Sequence, residues 1–504
     1  MLEKAALIEI CPASLKITVV SLIGGTYYKK TNQIIETLRF EEDIYENQTL
    51  STTKVNECIK ILNIFKDVCK YNNIVKIYCA ASSIFSKLKN IRNFLEDIQE
   101  QTGFNFNIIS EDEELKYAYN AIYNTVEPNK AIMLYINPND TLVMHFSKRN
   151  IISSKVLNFG SNTLADKFKD FANDSSTAIS KMLDFAKEQF ENLDFEFNLE
   201  EIGFIGAGES FITLSKLVRK MTHYPLDRDN NFVVDKTSFY KAFELLKEYG
   251  FDKTKRLVNI SNERLDNIIG GFVIMKAFFE RFENANFHIA SKSISDAIIS
   301  SKIIKESPSE VFADVLENSL NNLRYYYSIE DSNADWVYDF TINLFKQTSI
   351  IHKLTRKHTK ALRIAAILYD CGKRIDFENH PKYSKDIILN SKIYGVSHKD
   401  LVIAAFACQC QNLGNFKLSE WIKYKSIVDE EDLITARKIG VLIKLSESLD
   451  CNKQQKISDV KCDILGDIVI IKVKTKGDAE YEIMEAGKVS PAFKKVFNKN
   501  FQII

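Results

Sequence analysis

The sequence predicts an α/β protein with two lobes of one plan, followed by an all-helical region and a small C-terminal α/β unit. Three β-rich runs open the chain, at residues 5–10, 15–22 and 27–39. Helical and strand patterns then alternate, and the same series of three strands begins again at residue 131. From residue 308 to about 451 the apolar residues recur with helical spacing, and strand patterns return after residue 455.

The first lobe is predicted over residues 1–122. After the opening strands, helix and strand patterns alternate at residues 53–71, 75–80, 87–101, 104–109 and 113–123. Four acids fall at the last corner between strand and helix: Glu111, Asp112, Glu113 and Glu114. Acids in a first helical turn complement the helix dipole and cap free N–H groups. The alternative is that Glu114 points back into a cleft as a general base.

The second lobe is predicted over residues 123–303, where three strands precede helices, a further strand at 202–206 and a helix at 210–221. In each lobe a four-residue turn joins the first two strands, Cys11-Pro12-Ala13-Ser14 and Asn137-Pro138-Asn139-Asp140. This plan resembles that of the actin-like ATPase superfamily (ASKHA, ribonuclease H-like), in which both turns hold phosphate between the lobes.

The composition argues against several classes of partner. The 504 residues include 67 basic and 67 acidic ones, so the chain as a whole has no field that attracts nucleic acid or a membrane surface. No apolar run reaches about 18 residues, and the N-terminus enters a strand pattern directly, so we expect neither a membrane span nor a signal sequence. Nine cysteines without a C-x-x-C pair indicate reduced thiols. We therefore expect a cytoplasmic protein.

Six segments give the chain a resemblance to a known family. They read E-I-C-P-A-S-L-K at 9–16, A-S-S at 81–83, I-I-S-E-D-E-E at 108–114, F-I-G-A-G-E-S at 204–210, E-R-L-D-N-I-I-G-G at 263–271 and A-A-I-L-Y-D-C-G at 365–372. In this order and spacing the chain resembles the exopolyphosphatase and guanosine pentaphosphate phosphohydrolase (Ppx/GppA) family over nearly its whole length. The resemblance implies an HD-like helical domain over 308–453, a small α/β domain over 454–504, and a homodimer.

The resemblance also implies hydrolysis of a terminal phosphoanhydride in polyphosphate or in guanosine pentaphosphate (pppGpp). Such a site needs donors for a dense anion, a divalent metal such as Mg²⁺, and a base for the attacking water. The resemblance assigns Glu114 as the base and Glu9 as a metal ligand. The phosphate-binding residues that it implies are Ser14, Gly206, Gly208 and Ser210.

The chain departs from the family at positions that would touch phosphate or its metal. The family's first loop, Asp-Ile-Gly-Ser-Asn-Ser, corresponds to residues 9–14 without the glycine, and Pro12 has no N–H to donate. The second loop, Asp-Ile-Gly-Gly-Gly-Ser-Thr-Glu, loses both carboxylates and gains Asp140. Two family arginines align with Ser86 and Ser295.

These departures leave two functions open. The first is a catalytically impaired homologue that acts as a regulator or scaffold, or binds a phosphorylated ligand such as polyphosphate or a guanosine polyphosphate. The second is an active exopolyphosphatase or pppGpp phosphatase, which would use Mg²⁺.

In the HD-like domain the resemblance implies a metal site built from histidines and aspartates. The family's first ligand aligns with Asn333, its His-Asp pair reads Tyr369-Asp370, and a later histidine aligns with Cys410. Asp370 and His380 alone do not close such a site, so we expect no metal there. Family dimers build a basic canyon that binds polyanions. The alternative is that the lysines of this region are ordinary solvated side chains. The candidates for such a surface in this chain are Lys438, Lys444, Lys453, Lys456, Lys472 and Lys474.

Overall fold

We describe the protein from a computed structural model. It describes residues 3–24, 27–148, 150–168, 175–193, 202–258, 265–282, 285–304, 312–329, 331–410 and 418–504. By its internal contacts the chain divides into two compact units, the first formed by Met1–Asn124 and Lys292–Ala313, the second by Thr125–Ser291 and Asp314–Ile504.

The strands of these residues are, in chain order, β1 Lys4–Ile10, β2 Ser14–Ile23, β3 Tyr27–Thr37, β4 Lys76–Ala81, β5 Asn107–Ile108, β6 Lys130–Ile136, β7 Thr141–Ser147, β8 Asn150–Leu157, β9 Gly203–Ala207, β10 Val233–Val234, β11 Phe287–Ile289, β12 Ile457–Leu465, β13 Ile468–Thr475 and β14 Asn500–Ile503.

The α-helices are α1 Glu41–Glu46, α2 Thr52–Tyr71, α3 Ile91–Thr102, α4 Glu111–Tyr123, α5 Ser161–Lys167, α6 Ser175–Glu191, α7 Glu209–Met221, α8 Lys236–Val258, α9 Leu265–Arg281, α10 Ile294–Ile298, α11 Val315–Tyr327, α12 Asp331–Gln347, α13 Ser349–His352, α14 Thr359–Leu368, α15 His380–Asn390, α16 His398–Gln409, α17 Glu430–Ser448, α18 Glu480–Gly487 and α19 Ser490–Phe497. None of the helices in the described ranges is both long enough and apolar enough to cross a membrane.

The first unit is built on a sheet with the strand order β3-β2-β1-β4-β5. The first three strands form an antiparallel meander, whereas β4 and β5 run parallel to β1. Side chains alternate along a strand, so Ala6, Ile8 and Ile10 of β1 enter the core that includes α2 and α3, while Ala5 and Leu7 pack with α4 and α10. Strand β1 is therefore covered on both faces, so that its end is the part left for function.

The second unit repeats this arrangement in a sheet with the order β10-β11-β9-β6-β7-β8. Strands β6, β7 and β8 form the meander, and β9 and β11 continue it in parallel with β6. Apolar side chains of β6 pack in one core with those of α7, α8 and α9. The same succession of strands thus recurs in both units.

The rest of the second unit consists of helices α11 to α19 and a sheet with the order β12-β13-β14, which share one hydrophobic core. Gln347 at the end of α12 fastens this sheet, since its amide donates to the Val460 carbonyl at 2.8 Å and accepts from the Cys462 N–H at 2.6 Å. The helical region and the C-terminal strands that the sequence predicts are both present.

Residues 292–303, which we expected in the second lobe, belong to the first unit, where Asp296 pairs with Lys30 at 2.9 Å and accepts from the Tyr28 hydroxyl at 2.8 Å. The start of the motif at 263–271 lies outside the described residues.

Candidate active site

In the first unit the carboxyl ends of β1, β4 and β5 lie side by side, because these strands are parallel neighbours. Strand β1 leads into the turn 11–14, β4 into Ser82 and Ser83, and β5 into the N-terminus of α4. In open α/β sheets, ligands bind at this edge. The topology therefore brings the first predicted phosphate turn close to the corner that carries Glu114.

Ser110 and Glu113 cap the N-terminus of helix α4. The Ser110 hydroxyl accepts from the Glu113 N–H at 3.2 Å, and the Glu113 carboxylate accepts from the Ser110 N–H at 3.1 Å. The hydrogen bond from the Ser110 backbone holds the pKa of Glu113 below its usual value. This capping box accounts for Glu113, and it leaves Glu114 to a different contact.

Glu114 is directed toward the end of β4. Its carboxylate accepts hydrogen bonds from the Ser82 hydroxyl at 3.1 Å, from the Ser83 N–H at 3.4 Å, and from the Ser83 hydroxyl. These donors fix the orientation of the carboxylate, as a general base requires. They also occupy acceptor positions that a water molecule would have to use.

Glu9, the implied metal ligand, belongs to a buried polar cluster. Lys16 Nζ lies 3.2 Å from Glu9 Oε2, and the Ser295 hydroxyl donates to Glu9 Oε1 at 2.9 Å. Lys16 also donates to the Ser295 hydroxyl. Burial lowers the pKa of Lys16, but attraction to the Glu9 carboxylate outweighs it, so this pKa lies above its ordinary value. Each oxygen of Glu9 is therefore in contact with a protein group, and one of these groups is a cation.

The first phosphate turn is closed by its own hydrogen bonds. The Cys11 N–H donates to the Ser14 carbonyl at 2.8 Å, the Ser14 N–H donates back at 3.3 Å, and Pro12 has no N–H. The carbonyls of Pro12 and Ala13 accept from backbone N–H groups that follow β3. Of the four turn residues, only Ala13 keeps its N–H outside these bonds, so the turn offers little to a phosphate.

The Cys11 thiol is no nucleophile in this arrangement. Burial raises its pKa to about 12, with Glu9 and Glu114 adding to the effect and Lys16 opposing it. The thiol is therefore protonated at neutral pH.

The second turn matches the first. The Asn137 N–H donates to the Asp140 carbonyl at 3.0 Å, and the Pro138 carbonyl accepts from the N–H groups of Asn162 and Thr163. The Asn137 amide also donates to the Asp140 carboxylate at 2.8 Å. Each unit thus has a proline in the second position of its turn, and in each the turn carbonyls take up N–H groups of a following segment.

The predicted glycines of the second unit have packing roles. Gly208 has a φ of +98°, which disfavours any side chain, and an added Cβ would collide with the Ile136 carbonyl. A Cβ on Gly206 would collide with the ring of Phe211. Ser210 is buried, and its hydroxyl packs against Gly271. The same close approaches would serve a phosphate cradle, so these glycines are compatible with either role.

The predicted site residues fall into two groups. Glu9, Ser14 and Glu114 lie in the first unit; Gly206, Gly208 and Ser210 lie in the second. Sequence reasoning gave no role to Lys16, Ser82 or Ser83, although all three occur in the matching segments. A lysine inside the apolar run of β2 was the available signal for Lys16.

Ser86, which the resemblance aligns with a family arginine, is exposed, and its hydroxyl donates to the Ser83 carbonyl at 2.7 Å. Ser295, which the resemblance aligns with the other arginine, is 3% exposed and forms hydrogen bonds with Glu9 and Lys16. Neither serine supplies the charge of an arginine.

In the helical region, Lys373 Nζ lies 3.3 Å from Asp370 Oδ2, and Asn333 donates to the Tyr369 hydroxyl at 3.1 Å. Burial lowers the pKa of His380, and Lys373 lowers it further. Within the described ranges, no group of three or more histidine, cysteine, aspartate or glutamate side chains has an arrangement suited to a metal ion. These side chains therefore do not fit the metal that the HD resemblance implies.

Several of the lysines considered for a basic surface have partners. Lys438 donates to the His352 carbonyl, and three others form ion pairs, Lys444 with Glu447 at 2.9 Å, Lys456 with Glu482 at 3.5 Å and Lys472 with Asp463 at 2.7 Å. Of the three pairs only Lys472–Asp463 is exposed on both sides, where an ion pair contributes little to stability. All three carboxylates reduce the net positive charge around these lysines.

The two sheets, each a three-stranded meander continued by parallel strands, define an actin-like α/β protein with a helical C-terminal region. The chain belongs to the Ppx/GppA phosphatase family: the sequence model of this family matches residues 20–306, and that of Ppx/GppA phosphatase domain III matches residues 315–482. The first turn precedes the matched segment. Comparison with curated proteins gave no match.

Solved structures of the family share this fold. A Ppx/GppA family member from Aquifex aeolicus has a TM-score of 0.53 at 18% identity, covering 61% of this chain and 100% of its own. An exopolyphosphatase from Cytophaga hutchinsonii has a TM-score of 0.50 at 10% identity, covering 62% of this chain and 100% of its own. At these identities the likeness concerns the fold alone. The expected fold class is confirmed.

Proposed function

We propose that this chain is a catalytically impaired Ppx/GppA family protein that acts as a regulator or scaffold and binds a phosphorylated ligand without efficient turnover. The observation that carries the proposal is the pair of proline turns. In both, the proline removes a donor; the first turn uses two further N–H groups, of Cys11 and Ser14, for its own bonds, and the second uses that of Asn137. A terminal phosphoryl group that carries several negative charges would find few donors there.

The number of phosphate donors that the chain lacks supports a severe loss of hydrolytic rate over a modest one. Removing one donor to a developing oxyanion costs about 10²- to 10³-fold in rate in comparable sites. Here the glycine loops are replaced, and Ser86 and Ser295 stand where arginines would stabilise the transferring phosphoryl group. Asp140 adds a negative charge in the second turn. The combined loss exceeds that of any one donor, even when the contributions are far from additive.

The alternative function is an active exopolyphosphatase or pppGpp phosphatase that uses Mg²⁺. It is favoured by the orientation of Glu114, which is held by Ser82 and Ser83 at the end of a parallel strand. A carboxylate held in this way remains available if a substrate displaces one of the serine hydroxyls.

Phosphate release from polyphosphate and pppGpp, measured with MgCl₂ and beside an active family member, separates the two functions. The wild type and Glu114→Gln are assayed together, because glutamine keeps the shape and one acceptor oxygen but cannot act as a base. Impairment predicts equally low rates for both proteins.

Binding is measured separately by calorimetry with pppGpp and polyphosphate, and a dissociation constant above about 1 mM for both would refute the ligand-binding part of the proposal. Light scattering of the purified protein tests the proposed homodimer.

A further inference from the structure

At each of the two places where the family resemblance implies a metal ion, a carboxylate is paired with a lysine of the same unit. Glu9 pairs with Lys16 at 3.2 Å, and Asp370 pairs with Lys373 at 3.3 Å. We infer that a lysine ammonium replaces the divalent cation at both places, so that the folded chain supplies its own counter-charge and has no metal-binding capacity there.

The Glu9 cluster carries this inference most directly. Magnesium sits about 2.1 Å from its oxygen ligands and requires near-octahedral coordination. Oε2 has an ammonium at 3.2 Å, in an ion pair without hydrogen-bond geometry, and Oε1 accepts from Ser295. The Glu9 and Lys16 side chains are only 8% and 14% exposed, so water does not screen the repulsion between an incoming cation and the ammonium.

The helical region repeats this chemistry with different residues. Asp370 and Lys373 form one pair there, and Glu447 and Lys444 form a second at 2.9 Å. His380 lies close enough to both pairs for all four charges to act on it. The two carboxylates are thus balanced by two ammonium groups, and a divalent ion would leave this cluster with an excess of positive charge.

The test is a Mn²⁺ titration of the full-length protein, with binding followed by the loss of the free Mn²⁺ signal in electron paramagnetic resonance. Lys16→Met and Lys373→Met each remove the ammonium but keep the apolar stem. We expect the wild type to bind Mn²⁺ only with a dissociation constant above about 1 mM, and each variant to bind it at least about tenfold more tightly, because the repelling ammonium is gone although no ligand is added. The double variants Glu9→Gln/Lys16→Met and Asp370→Asn/Lys373→Met are expected to lose this gain, because the anionic ligand is gone.

A matched control separates a metal position from any carboxylate that has lost its partner. Lys30 pairs with the buried Asp296 at 2.9 Å in the first unit, and the resemblance implies no metal there. Lys30→Met is expected to bind Mn²⁺ no better than the wild type. An equal gain in Lys30→Met would overturn the inference, and so would tight binding by the wild type or no gain in a folded Lys373→Met.

Lys16→Met leaves a buried carboxylate and is the variant at risk of misfolding. Lys16→Arg keeps the charge, so it is expected to fold and to stay as insensitive to Mn²⁺ as the wild type; stoichiometric Mn²⁺ binding by this variant would contradict the replacement. The Lys373→Met titration concerns a part-exposed pair and decides the inference even if Lys16→Met does not fold. The readout is metal binding, so failure of the proposed impairment would appear in the phosphate assay and not here.

Discussion

Replacement of Lys16 by methionine is expected to loosen the first two strands of the first unit. The ammonium faces Glu9 at 3.2 Å in a cluster that also holds Ser295, and both charged side chains are largely buried. Removing one partner of a buried ion pair costs about 3–5 kcal/mol, because the other charge is left without compensation. Glu9→Gln/Lys16→Met removes both charges and should be the more stable of the two variants, since no buried charge remains.

The assay has to report on the first unit alone. Both tryptophans, Trp336 and Trp421, lie in the second unit, so fluorescence would miss the effect. Hydrogen exchange of peptides from β1 and β2 gives the free energy of opening at the site. We expect a fall of about 3 kcal/mol in Lys16→Met, and a coupling energy above about 1 kcal/mol in the cycle completed by Glu9→Gln. Additive effects within about 0.5 kcal/mol would show that the two charges do not interact and would refute the reasoning.

Three further predictions concern the second unit and its glycines. Gly208→Ala should destabilise the fold by at least about 2 kcal/mol, because Gly208 has a positive φ and a Cβ there would collide with the Ile136 carbonyl. Gly103 also has a positive φ but open space around it, so Gly103→Ala should cost about 1 kcal/mol. Equal losses of stability in thermal or urea denaturation would contradict the packing role of Gly208. His398 is buried and its pKa is lowered to about 4, so folding is favoured fully above pH 6.5 and loses about 3 kcal/mol of stability as the pH falls toward 4. In His398→Gln the free energy of unfolding should fall less steeply with pH over this range. An unchanged dependence on pH would refute the prediction. Gln347→Ala should cost about 2 kcal/mol through its lost bonds to β12, and exchange in the C-terminal sheet that matches the wild type would speak against this.

Local patterns were sufficient for most of the fold. The β-branched run of β2, the alternation of strands and helices, and the repeat of one plan in two lobes follow from side-chain periodicity, which a sequence displays directly. Periodicity carries no information about partners distant in the chain. For this reason the sequence pattern assigns residues 292–303 to the second lobe, whereas their contacts are with the first unit. Asp296 holds its segment in the first unit by bonds to Lys30 and Tyr28, residues more than two hundred positions earlier.

The site was predictable to a smaller extent. The corner of four acids was recognised, but the choice between capping and a directed carboxylate depended on where Ser82 and Ser83 lie, and the structure gives these contacts to Glu114. Lys16 lies opposite Glu9 across β1 and β2, and this pair was within reach of the sequence, whereas Ser295, the third member of the cluster, is 279 positions away from Lys16. The closure of the two turns depended on backbone hydrogen bonds, which are independent of side-chain identity except at proline.

The rate of phosphate release from polyphosphate with saturating Mg²⁺ tests the central proposal most directly. Beside an active family member assayed in parallel, the wild type is expected to be at least about 10³-fold slower, by the loss of donors at both turns. Glu114→Ala should leave this residual rate unchanged. Rapid release by the wild type, abolished in Glu114→Ala, would contradict the account and would mean that Glu114 acts as a base in a site adapted to proline turns.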